Sequence, residues 1–264
     1  MKVEDKPFYQ VLSQAGIPAL LTWLLIPLSS LNPRIDSTIA PYFDLTQPFA
    51  QFAYWLSFSG GTTGIPFVIL LMLILLISRT GISSQQRWKE TCIIVIFTTL
   101  FAGGGALFNE HVLKPQLKLP RPNIMWLAEN GALGITAEEL YAIGNKKSRR
   151  VPLINALNDD PLAISPQIKA HWVAETGYSL PSGHALSAMF AATFLLMLSS
   201  TLLTSKRRWI FYLLLPWALA VCYSRPILRV HTPLDIIIGG FQGLVLGFLA
   251  WFIAQLLIRR MLKS

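Results

Sequence analysis

Hydrophobic positions along this chain gather into six runs, at about 11–31, 61–78, 91–113, 184–203, 209–224 and 234–258, with polar stretches between them. Each is close to the ~20 residues an α-helix needs to cross a ~30 Å hydrocarbon layer. The pattern therefore predicts an all-α fold, a polytopic membrane helix bundle of about six transmembrane helices. The runs Ile65 to Ile77, Cys92 to Phe101 and Ile236 to Ile258 are the most continuous, whereas the first carries Pro18 and Pro27 and the fifth carries Pro216. Lys2 and Lys6 precede the first run as they would in a signal peptide, but no small-residue cleavage site follows, so it reads as a retained span. The one long polar stretch, about 114–183, carries helix signals of its own. Thr136 with Glu139 has the form of a capping box, and Ser165-Pro166 starts a helix-compatible run to Glu175 that Gly177 closes. The whole chain, 1–264, is expected to be a single integral membrane domain with short helices in this loop region.

Composition supports a bilayer address. Of 264 residues, 53% are hydrophobic and 13% charged, against roughly 25% charged in soluble proteins. The net charge of +9 would suggest nucleic acid as a partner in a soluble chain, but the basic residues stand mostly in the loops. That placement fits anionic lipid headgroups and the cytoplasmic excess of Lys and Arg, so the bilayer, and not nucleic acid, is the expected partner. Lys2, Lys6, Arg79, Arg87, Lys89, Lys206, Arg207, Arg208, Arg259, Arg260 and Lys263 fall on one side of the predicted membrane, against Arg34, Arg225 and Arg229 in the short loops of the other. Both termini are thereby expected in the cytoplasm, with the first, third and fifth loops facing outward. Cys92 and Cys222 lie in or at the end of apolar runs, which supports neither a disulfide framework nor a zinc site.

Three clusters at predicted membrane ends carry chemistry: Lys114-x6-Arg121-Pro122, Pro181-Ser182-Gly183-His184, and Ser224-Arg225-x5-His231-x3-Asp235. Cations cost about 2.5–3.5 kcal/mol in mid-bilayer, so each alone reads first as a snorkelling anchor; Lys118 and Arg229 are read as solvated or headgroup-facing. Three cations with two histidines point instead to phosphate, which guanidinium forks bind bidentately. Ser182, just before an apolar run, is a natural N-cap whose following amides form an anion site, and Gly183 permits close approach. His231 and Asp235, four apart, share a helix face if the helix begins early enough, and the carboxylate would then hold the imidazole in one tautomer. Equally, Thr232, Pro233 and Asp235 have the form of a helix start.

Together these clusters are similar to the signature of the type 2 phosphatidic acid phosphatase superfamily, complete and in order. The approach His171-Trp172…Glu175-Thr176-Gly177 is most similar to that of bacterial six-span phosphatidylglycerophosphatases. The resemblance implies a metal-free, cofactor-free lipid phosphatase in which His231 attacks phosphorus, Asp235 orients that imidazole, and His184 protonates the leaving group and then activates water. It implies that Lys114, Arg121, Arg225, Ser182 and the Gly183 amide bind the phosphate. Glu175 is a possible accessory proton donor. His171 and His111 are taken as structural, and Trp126 and Trp172 as lipid-interface residues. Expected substrates are phosphatidylglycerol phosphate, phosphatidate, diacylglycerol pyrophosphate and undecaprenyl pyrophosphate, at the outer face of a bacterial inner membrane. A phosphotransferase using the same phosphohistidine is the alternative; a headgroup-binding transporter is a further one, although transport has no need of two histidines and a carboxylate.

Overall fold

A computed structural model describes residues 6–31, 44–158, 163–203 and 205–263, with no account of the side chains of residues 205 and 261–263. Lys2 and Arg34, which entered the charge asymmetry, lie outside the described residues, as does the side chain of Lys263.

The chain is a helical membrane bundle. Among the described residues, five helices are long and apolar enough to span a bilayer, or six if one bent pair is counted as a span. The first, α1, runs Phe8–Leu31. The bent pair is α2 (Pro48–Gly60) and α3 (Ile65–Ile77), which meet at 63°. The apolar run at 61–78 accounts for α3 alone; α2 was not expected. The next span, α4, is a composite: it starts at Ser84, whose preceding residue Ser83 caps it by accepting from the Gln86 amide at 3.1 Å, and continues through π-helical turns at Thr98–Gly103 and Asn109–Leu113 to Lys114–Leu117.

Among its described residues, the polar region between motifs folds into four short helices, α5 (Pro122–Glu129), α6 (Ala137–Ala142), α7 (Lys146–Asn158) and α8 (Pro166–Ala174). The expected capping box of α6 is present, Thr136 accepting from the Glu139 amide and Glu139 from the Thr136 amide. The helix start at Ser165-Pro166 is also observed. These helices have a hydrophobic cluster of their own, built on Ile124, Leu127, Leu140, Leu153, Ile168 and Trp172, which Ala50 and Ala53 of α2 join. Trp172 is thus fully buried, its indole NH bonded to the Leu228 carbonyl at 2.8 Å, and is not a lipid-interface residue; Trp126 packs edge-on against it.

Three spans close the bundle: α9 (Gly183–Leu202), α10 (Lys206–Ile227) and α11, which starts at Pro233. From Ala185 to Leu202 every residue of α9 except Ser187 is buried, so it is the central post. It touches α11 almost backbone to backbone along Gly239, Gly243 and Gly247. A Cβ at Gly239 would stand 2.3 Å from the Ser182 carbonyl oxygen, and one at Gly243 2.2 Å from that of Leu186. Small residues every fourth position let two helices approach closely in a setting where lipid removes most hydrophobic drive for association. The seam sets the start of α9 beside the start of α11, and the second and third motifs occupy those two starts.

Candidate active site

The site assembles where α9 and α11 begin and α10 ends. Ser182 caps α9, its hydroxyl accepting from the Ala185 amide at 3.4 Å, while its own amide donates to the Asp235 carbonyl at 3.0 Å. At α11, both sequence readings of Asp235 hold. Its Oδ2 accepts from the Thr232 amide at 2.7 Å and Thr232 Oγ1 accepts from the Asp235 amide at 3.2 Å, a reciprocal helix start. The same Oδ2 stands 3.3 Å from His231 Nδ1 and accepts from the Ser179 hydroxyl. Ser179 Oγ is also 3.4 Å from Nδ1.

The other face of that imidazole meets the first motif. Arg121 Nη1 lies 3.2 Å from His231 Nε2. A guanidinium can only donate, so Nε2 carries the lone pair and Nδ1 the proton, directed at Asp235. Burial, followed by the Arg121 charge, lowers the His231 pKa to about 3 despite the Asp235 carboxylate. The ring is neutral at pH 7, with its free nitrogen facing the cation.

Arg121 is held from all sides. Nε donates to the Gly177 carbonyl at 2.8 Å, Nη1 to the Val230 carbonyl at 2.9 Å, and its amide to the Tyr141 hydroxyl at 3.1 Å. Tyr141 stacks on Tyr178 with centroids 4.6 Å apart, and the Arg149 guanidinium lies over both rings. The short helices between the motifs therefore fix the Arg121 fork. Arg225, fully buried near the end of α10, donates to Ser57 Oγ of α2 and lies 3.1 Å from His171 Nε2. Burial, then the Arg225 charge, lowers the His171 pKa to about 4, so this ring is a neutral acceptor.

Glu175 spans the two arginines, with Oε2 2.7 Å from Arg121 Nη2 and Oε1 2.9 Å from Arg225 Nη2. Burial alone would raise its pKa, but Arg121, Arg225, His184 and His171 outweigh it and hold the carboxyl well below the usual range. The carboxylate thus takes the bidentate position, between two forks, that a tetrahedral oxyanion would fit. His184 lies against the α2–α3 bend, where a Cβ on Gly61 would be 2.8 Å from its Nε2. Lys114 is buried, its ammonium 3.2 Å from Glu110.

The structure brings Arg121, Glu175, Arg225, His231 and Asp235 into direct contact, with Ser182 joined to them through the Asp235 backbone; Lys118 is exposed, and Arg229 lies over the Trp126 ring. Ser57, His171 and Ser179 also enter the cluster; the sequence alone marks His171 as structural and gives no role to Ser57 or Ser179. Ser57 sits on an unremarked apolar stretch and gave no signal. His171 and Ser179 flank the second motif, which is the only hint the sequence offers of their place.

Comparison with known proteins gives the same outline. The PAP2 superfamily profile matches residues 91–259. The chain is 30% identical over 172 residues to phosphatidylglycerophosphatase B of Escherichia coli strain K12, 64% of this chain and 64% of the relative, so the match spans just under two thirds of that protein. It is 30% identical over 227 residues to phosphatidylglycerophosphatase B of Haemophilus influenzae, 81% of this chain and 84% of the relative. An undecaprenyl-diphosphatase of Sulfolobus acidocaldarius is 40% identical over 75 residues, 28% of this chain and 33% of the relative.

Proposed function

Because this chain belongs to the PAP2 superfamily, we propose that it hydrolyses lipid phosphomonoesters or lipid diphosphates through a phosphohistidine. The observation that carries the reading is the His231 imidazole, Nδ1 directed at Asp235 and Nε2 beside Arg121. A neutral ring so oriented is a nucleophile whose developing positive charge the carboxylate stabilises. Nε2 attacks phosphorus, and the bond from phosphorus to the leaving oxygen breaks. His184 delivers a proton to that oxygen, whether of a lipid alcohol or of a lipid phosphate. It then takes a proton from water, which attacks the phosphohistidine, breaks the P–N bond and releases orthophosphate. Arg121, Arg225 and Lys114 neutralise the equatorial oxygens, assisted by Ser182 and the Gly183 amide at the start of α9. Glu175 holds the two guanidiniums in place while the site is empty and yields to the phosphate.

The substrates we favour are phosphatidylglycerol phosphate, phosphatidate, diacylglycerol pyrophosphate and undecaprenyl pyrophosphate; the first and last are in keeping with the names of two relatives. The loop charges support both termini in the cytoplasm and a site on the outer face of a bacterial inner membrane, within one membrane domain. The test is phosphate release from these four lipids, with a soluble phosphomonoester as control. His231→Ala should abolish it; release at the wild-type rate would overturn the mechanism.

A further inference from the structure

A cation at the site's rim, Lys146, belongs to none of the three motifs. Lys146 is the first residue of α7, and its position is set by local chemistry: Asn145 Oδ1 accepts from the amides of Lys147 at 2.9 Å and Ser148 at 3.2 Å, an N-cap. The Lys146 carbonyl accepts from the Thr176 hydroxyl at 2.9 Å, tying the helix start to the segment that carries Glu175. Its side chain lies across Gly177, where an added Cβ would be 2.8 Å from Lys146 Cε and 3.2 Å from Nζ. The carbonyl of that glycine accepts from Arg121 Nε at 2.8 Å. The ammonium thus stands one residue away from the phosphate-facing guanidinium.

Glu110 ties this ammonium to a second one. One carboxylate oxygen bonds Lys146, and the other is 3.2 Å from Lys114 Nζ. The lysine side chains differ in depth, Lys114 being 8% exposed and Lys146 48%. Around the clamp, Glu110 and Glu175 face four cations, Lys114, Lys146, Arg121 and Arg225. The inner cations suffice for one phosphoryl group. The outer one matches an anionic group farther along the substrate.

We propose that Lys146, held beside Lys114 by Glu110, is a specificity-determining residue that receives a second phosphate of the substrate. The inference rests on the lipid-phosphatase reading above. The second phosphate is either joined directly to the first, as in a lipid diphosphate, or carried on the leaving alcohol, as in phosphatidylglycerol phosphate. Glu110 competes with it for both ammonium groups.

The test is kcat/KM of the full-length protein in mixed micelles on diacylglycerol pyrophosphate, phosphatidylglycerol phosphate and phosphatidate, each expressed relative to phosphatidate. Because Lys146→Met removes a charge-assisted hydrogen bond to the second phosphate, it should lower one or both ratios about tenfold, through KM more than kcat. The ratio that falls identifies which second phosphate is bound. Lys146→Arg should keep the wild-type ratios, and Glu110→Gln should raise what Lys146→Met lowers. Ratios unmoved by Lys146→Met, or moved equally by the Arg variant, overturn the proposal even where all three lipids are hydrolysed. Wild-type protein that hydrolyses none of the three instead overturns the lipid-phosphatase reading.

Discussion

Replacing Glu175 by Gln should weaken the empty protein and tighten its hold on oxyanions. The carboxylate joins Arg121 at 2.7 Å and Arg225 at 2.9 Å, and the two arginine side chains are 3% and 0% exposed. Removing one partner of a buried ion pair costs about 3–5 kcal/mol, because a charge is left uncompensated. An amide of the same shape still accepts one hydrogen bond, so the loss should fall to about 2–3 kcal/mol. At ~2–4 °C per kcal/mol for chains of 150–250 residues, the thermal midpoint in detergent should drop by roughly 5–10 °C. Orthophosphate or vanadate would restore the missing charge, and in the variant it would not have to displace a carboxylate. The anion should therefore bind the variant about tenfold more tightly, equivalent to ~1.4 kcal/mol. The assay is thermal unfolding of purified wild-type and variant protein across a vanadate titration. Equal midpoints without anion, or equal vanadate dependence in both, would refute the idea that Glu175 stands where phosphate binds.

Gly243→Ala puts a methyl group into the Leu186 carbonyl; it should cost about 1–3 kcal/mol by overpacking and reduce phosphate release by shifting the starts of α9 and α11, and a variant with unchanged melting and rate would count against the seam. Ser179→Ala removes one donor to Asp235; about 1 kcal/mol per hydrogen bond predicts roughly fivefold lower kcat with KM little changed, whereas an unaltered kcat would make Ser179 a bystander. Acidification should destabilise the fold: His231 and His171 have pKa values near 3 and 4 in the protein but about 6.5 when unfolded, so the unfolded chain binds more protons between those limits and stability falls as pH drops below about 6.5. Unfolding midpoints from pH 7 to 4 check this, and His231→Asn should flatten the slope.

Much of the architecture could be read from apolar runs because lipid demands them: a span must be long and hydrophobic whatever it packs against. The helix α2 escaped because Gly60-Gly61-Thr62-Thr63-Gly64 breaks the apolar run and the preceding stretch is only mildly hydrophobic. The motifs could be read because their chemistry is local, a capped helix start at Ser182 and a histidine one turn from its carboxylate. Trp172, Ser57 and His171 were not legible, since their positions depend on contacts more than fifty residues away in the chain, with Leu228 and Arg225. Glu175 showed its charge but not its place between two arginines. The glycines of α11 are visible in sequence, yet nothing in their spacing names α9 as the partner.

The bend between α2 and α3 alters what counts as a transferable part of this protein. It lies outside the matched span of 91–259, yet Ser57 bonds Arg225 and Gly61 abuts His184. A chimera joining residues 1–90 of one relative to the motif-bearing remainder of another would import two walls of the candidate site along with its membrane anchor. Divergence in the amino-terminal third can thus retune selectivity while every signature residue stays the same.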